Sequence, residues 1–95
     1  ADMVLALALL HHLVIGNNLH LEQVASFLRS IARDVIVEFV SHEDPQVRRL
    51  LAKRLETRPD YTRENFETAF HRYFEFNRVQ HLPTHTRTLY WMRGK

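Results

Sequence analysis

The chain has 95 residues, 45% of them apolar and 25% charged, which suits one globular domain near the lower end of the common size range. Thirteen Lys and Arg against eleven Asp and Glu leave a net charge of +2, too small a field to argue for nucleic acid by itself. The absence of cysteine excludes disulfides and thiolate metal sites, and makes a reducing, cytoplasmic setting the default expectation.

The chain opens with an acid and an apolar run, residues 3–10, that has neither alternation nor a polar face. Such a run predicts a strand covered on both sides, although its Leu and Ala residues would also suit a helix. It is far short of the roughly 20 residues of a membrane span, and it lacks the basic flank and small-residue cleavage site of a signal peptide. Gly16-Asn17-Asn18 marks a loop with Asn18 as the expected N-cap. Beyond it Leu21, Val24, Leu28 and Ile31 fall on one helical face, with Arg33 and Asp34 at its end. Residues 35–40, VIVEFV, are rich in β-branched and aromatic types and predict a second strand.

Asp44-Pro45 is a helix start, Asp44 capping and Pro45 at the first helical position. The predicted helix covers residues 45–55, with Val47, Leu50, Leu51 and Leu55 as its apolar stripe. A loop over residues 57–61 leads to Thr62, the expected cap of a third helix that buries Phe66, Ala69, Phe70 and Tyr73. Residues 74–79 alternate as a strand, the chain turns around Pro83, and residues 88–92 return as the last strand. The order β-α-β-α-α-β-β argues for an α/β fold in which two strands pair in parallel and the last two form an antiparallel pair. Residues 1–95 read as a single unit, without repeat, linker or low-complexity segment.

That order, together with ADMVLALALLHHL and VIVEFV, resembles the second half of a class I S-adenosylmethionine-dependent methyltransferase. The longer pattern, with IGNN, EFVSHEDPQV and PDYTRENFETAF, is similar to bacterial methyltransferase-like proteins, some of which carry a nodulation-related label. The resemblance implies a partial Rossmann-like sheet. Asp2 would enter its fourth strand, the LHHL segment at residues 10–13 would follow, and residues 35–40 would be the fifth strand. Residues 74–79 and 88–92 would be the sixth and seventh, the seventh running antiparallel between the fifth and sixth. It further implies transfer of a methyl group to an acceptor by in-line displacement, with the enzyme supplying positioning and desolvation.

The family's glycine-rich loop, which brings backbone close to the cofactor, has no counterpart among the two glycines Gly16 and Gly94. S-adenosylmethionine is therefore expected to be held by an N-terminal half outside this chain, and the chain alone is expected to be inactive and to bind it weakly. Right-handed crossovers should put the helix at residues 21–31 and at least one later helix on the same sheet face. The opposite face and the apolar first strand would then lie open. Self-association, or coverage by the helix at residues 45–55, is the expected consequence.

Leu10, His11, His12 and Glu38 are the candidate site residues. The histidines follow a parallel strand at its C-terminal end, where α/β folds place ligands, and a histidine there could orient an acceptor or act as a general base. The alternative is that one packs and the other is solvated. Glu38 is the lone acid in an apolar strand and needs either a partner or a raised pKa; an ion pair with a nearby arginine or a hydrogen bond to a loop is favoured over a place in the substrate pocket. Adjacent histidines on an extended segment would point apart, and the others show no ligand spacing, so no metal site is expected. Arg48, Arg49, Lys53, Arg54 and Arg58 form a basic cluster. Interrupting acids and the lack of interleaved aromatics favour a solvated helix face over RNA binding. The competing functional class is a non-enzymatic α/β module that docks a protein or RNA through its strand edge or basic helix.

Overall fold

The opening apolar run is a strand for four residues. In the computed structural model, which describes residues 2–7, 9–16, 19–41, 43–52, 59–83 and 86–95, β1 is Met3–Ala6 and β2 is Asp34–Val40. They pair in parallel, with Met3 opposite Asp34 and Ala6 opposite Val37. The strand expected over residues 3–10 therefore ends early. Leu7 and Leu9 lie in a turn, Leu10 and His11 are helical, and His12–Gly16 is a turn of π-helix. Leu13 N–H donates to the Leu9 carbonyl at 3.1 Å, the spacing of a helical ladder. Leu is among the better helix formers, so once pairing with β2 stops nothing local favours staying extended. Leu10 and Val14, four apart, keep burying the same side of the run.

Helix α1, Leu21–Ile31, buries Leu21, Val24, Ala25 and Leu28, while Ile31 is exposed at its end. His20 is its N-cap, and Gln23 Oε1 accepts from the His20 N–H at 2.9 Å. The expected cap Asn18 lies outside the described residues. The helix stops before Arg33, and Asp34 belongs to β2. Helix α2 is Pro45–Ala52, with Asp44 Oδ1 accepting from the Gln46 N–H at 3.0 Å as expected of its cap. The remainder of the helix expected to residue 55 falls outside the described residues, as do Lys53, Arg54 and Arg58. Helix α3, Arg63–His71, is capped by Thr62, which accepts from Asn65 N–H at 3.1 Å, and it buries Phe66, Ala69 and Phe70.

The last two strands are longer than the sequence pattern indicates: β3 is Phe74–His81 and β4 is Arg87–Gly94. Phe76 faces Met92 and Arg78 faces Trp91, so Asn77 is an extra residue in the ladder and interrupts the expected alternation. The sheet order is β1-β2-β4-β3, with β4 antiparallel to both neighbours. The fold is thus α/β with a mixed sheet, and the last strand is inserted between the second and third, the arrangement the resemblance implies.

Alternation assigns the two faces. Val4, Ala6, Val35, Val37, Phe39, Tyr90 and Met92 share one, and there Phe66 of α3 meets Phe39 at 5.1 Å and Tyr90 at 4.8 Å between ring centroids. α1 packs beside α3 and is tied to it by the Arg72–Glu22 ion pair at 2.9 Å. The other face carries Met3, Leu5, Ile36, Leu89 and Trp91. Met3 and Leu5 are 55% and 61% exposed, so α2 does not close this face; it packs against the π-helical turn instead. Trp91 is half-buried on the open face, where the Arg78 guanidinium lies 5.2 Å over its ring. No helix among the described residues is long and apolar enough to cross a membrane.

Candidate functional site

The buried polar side chains gather where β1 and β2 end. The π-helical turn follows β1, Asp44 and α2 follow β2, and the antiparallel register sets Arg87 at the start of β4 opposite Val40 at the end of β2. This is the sheet edge at which α/β folds hold ligands.

Arg87 organises one half of this edge. Its Nη1 donates to Glu38 Oε1 at 3.2 Å and its Nε to Asp44 Oδ2 at 3.1 Å. Thr86 Oγ1 adds a 2.8 Å bond to the same Asp44 oxygen. Burial alone would push the Asp44 carboxyl up. The Gln46 N–H, the Arg87 guanidinium and the Thr86 hydroxyl outweigh it and hold the group below the usual carboxylate range. The bond to Asp44 in turn raises the Arg87 guanidinium further above its ordinary value. Glu38 is therefore one arm of a buried ion pair, as the structural reading of its sequence position has it. Nearby, the Tyr61 hydroxyl donates to the Val40 carbonyl and fixes the end of β2, and burial pushes that phenol well above its ordinary value.

The histidine pair makes the other half. Leu10 is a core residue, 1% exposed. His11 is fully buried, and neither ring nitrogen has a hydrogen-bond partner. Burial, followed by the nearby His12 ring, lowers its pKa below 6.5, so the ring stays neutral near pH 7. The Gln46 side chain approaches and favours the cation, but at no geometry that makes a bond. His12 is exposed, its ring centroid 4.4 Å from that of His11 at a tilt of 37°. The two rings thus touch rather than point apart, because the segment is helical and not extended. Among the described residues no group of three or more His, Asp or Glu could hold a metal ion.

His12, Gln46, Arg49 and Leu50 line a cleft of about 270 Å³ between the π-helical turn and α2. The structure therefore brings Leu10, His11, His12 and Glu38 to one sheet edge, with Glu38 joined to Arg87 and His12 to the cleft. Arg87 and Gln46 carry no site signal in the sequence, and Arg49 stands there only in a basic cluster read as a solvated helix face. Arg87 is 49 residues from Glu38 and 43 from Asp44, and strand register alone unites them. The one available signal was the need of a lone strand acid for a cation.

No protein-family model matches the chain, and no solved structure matches it. Among curated proteins the chain is 41% identical over 90 residues to the nodulation protein NoeA of Rhizobium meliloti (strain 1021). The alignment takes in 95% of this chain and 19% of that relative, so the chain spans about a fifth of the length of the curated protein it matches.

Proposed function

We propose that the chain is the C-terminal half of a class I S-adenosylmethionine-dependent methyltransferase domain, and that its histidine-bearing edge forms the acceptor side of the site. The observation that carries this reading is the sheet order β1-β2-β4-β3, with an antiparallel last strand inserted between its two predecessors. The polar cluster at the ends of β1 and β2 supports it by position, since ligands of such sheets lie outside the strand ends.

Among the described residues neither glycine is placed to cradle a cofactor. Gly94 closes β4, where a Cβ would collide with the Arg29 side chain of α1, so that glycine serves close packing and no ligand. Gly16 ends the π-helical turn rather than joining a strand to a helix. No chemical step is therefore assigned to S-adenosylmethionine here, and its methionine and ribose are left to the rest of the proposed domain. What this half contributes is orientation of an acceptor by His12 and a wall that excludes water, made by Leu10, His11, Val14 and Ile15.

The test is calorimetric titration with S-adenosylmethionine and S-adenosylhomocysteine. The full-length protein is expected to bind in the micromolar range and the 95-residue chain alone not to. Failure of the full-length protein to bind, or micromolar binding by the isolated chain, overturns the proposal. A glycine-rich strand-turn-helix within the preceding ~60 to 100 residues, the length two βαβ units need, is the matching sequence observation. The second reading, an interaction module, is favoured by the exposed Met3 and Leu5 of the β1 edge and requires no such segment.

A further inference from the structure

We infer that the cleft between the π-helical turn and α2 is a subsite for an anionic group, a carboxylate or a phosphate. If the chain serves methyl transfer, on which this identification of the ligand rests, the group belongs to the methyl acceptor. Three of the four lining residues offer N–H donors: the His12 imidazole, the Gln46 amide and the Arg49 guanidinium; Leu50 supplies an apolar wall. Such a set is rich in donors and contains no carboxylate. Arg49 forms no ion pair among the described residues, and two acids at the same sheet edge, Asp44 and Glu38, are already engaged by Arg87. Asp44 Oδ1 accepts from the Gln46 N–H and its Oδ2 from Thr86 Oγ1 and Arg87 Nε, and Glu38 accepts from Arg87 Nη1. The neighbouring negative charge is thus neutralised from the far side, and the Arg49 charge is left for a ligand.

One further feature favours an anion. The buried His11, with both ring nitrogens unpartnered, touches His12 and adjoins Gln46, so an unspent donor or acceptor stands directly behind the cleft. A volume of about 270 Å³ admits one charged group and a few attached atoms, not a whole acceptor. The cleft therefore recognises one end of a larger molecule.

The test uses the 95-residue chain, inorganic phosphate and acetate, at constant ionic strength, followed by nuclear magnetic resonance of the backbone amides and histidine rings. Saturable shifts confined to His12, Gln46 and Arg49 are expected. Tighter binding of phosphate assigns the group as a phosphate, and tighter binding of acetate as a carboxylate. Arg49→Gln should weaken binding roughly tenfold or more, the effect of losing a charge-assisted bond, and His12→Asn is an independent second lesion. Arg48→Gln removes the same charge from the same helix outside the cleft and should change affinity less than twofold. Absence of saturable shifts, or equal weakening by Arg48→Gln and Arg49→Gln, overturns the inference. The titration needs no cofactor. Anion binding by a protein that ignores S-adenosylmethionine would keep the subsite and lose the methyltransferase reading, and the converse would lose the subsite alone.

Discussion

Among the described residues, one face of the sheet is closed by helices and the other is left open. On the closed face Phe39 packs against Tyr61 and Phe66, Phe66 meets Phe70 and the edge of Tyr90, Phe70 stacks on Phe74, and Phe76 meets Tyr90 edge-on. These rings, apart from the half-buried Phe76, are almost wholly out of water. On the open face Met3, Leu5, Ile36, Leu89 and Trp91 make an apolar strip of similar chemistry, and two of its members are more than half exposed. The contrast separates two uses of apolar residues. Burial stabilises only where a partner layer removes the surface from water, so the closed face should hold the free energy of folding and the open face almost none of it.

The largest expected effect comes from Phe66, the ring shared by Phe39, Phe70 and Tyr90 at centroid distances of 5.1, 4.5 and 4.8 Å. Phe66→Ala should cost about 3 to 5 kcal/mol in urea unfolding, through lost transfer energy and the cavity left behind. That is a large share of the 5–15 kcal/mol typical of whole domains. A cost near 1 kcal/mol would mean that α3 is not what closes this face.

His11 sharpens the comparison because it is fully buried and neither ring nitrogen has a hydrogen-bond partner among the described residues. An unsatisfied buried ring destabilises, so His11→Leu should raise stability at pH 7 by about 1 kcal/mol. The sign of the pH dependence is fixed by the lowered pKa. The unfolded chain takes up a proton near 6.5 while the folded chain still resists it. The contribution of the neutral ring is fully present above pH 6.5 and is lost as pH falls toward the lower folded value. Unfolding followed from pH 7 to 5 should show this slope in the natural chain and a shallower one in His11→Leu. Asp44 acts in a separate, more acidic window: its folded value lies below 3.8, so its contribution persists above that pH and is lost as pH falls through the folded value.

Legibility in the sequence followed the range of the interactions. Leu21–Ile31 and the β-branched run of β2 are specified by their own periodicity, and both stand within a residue of where the pattern put them. Asp44 and Thr62 cap α2 and α3 through bonds two and three residues long, which a local pattern can carry. Residues 3–10 are ambiguous because Leu and Ala serve strand and helix alike, and only residues 3–6 pair with β2. The bulge at Asn77 has no local signature and is visible only against β4. The site followed the same rule: His11, His12 and Glu38 were marked by being polar in apolar runs. Arg87 and Arg49, ordinary arginines in sequence, gain their setting from a strand register and from a helix laid against a π-helical turn.

The smallest expected effect belongs to the open face, and there Leu5 offers a direct contrast with its neighbour Ala6. The two are adjacent on β1 and point to opposite sides; Ala6 is 2% exposed and Leu5 61%. Leu5→Ser should change the stability of the monomeric chain by less than about 0.5 kcal/mol, since little apolar surface is withdrawn from water there. The same substitution becomes consequential if a second copy covers β1, because Met3, Leu5, Leu7 and Leu9 then form one continuous buried edge. Light scattering on the natural chain and on Leu5→Ser separates the cases. A dimer that dissociates on substitution makes the open face a self-association surface, whose apolar residues stabilise after all, but between chains. A monomer before and after leaves the two faces as unequal as their exposures indicate.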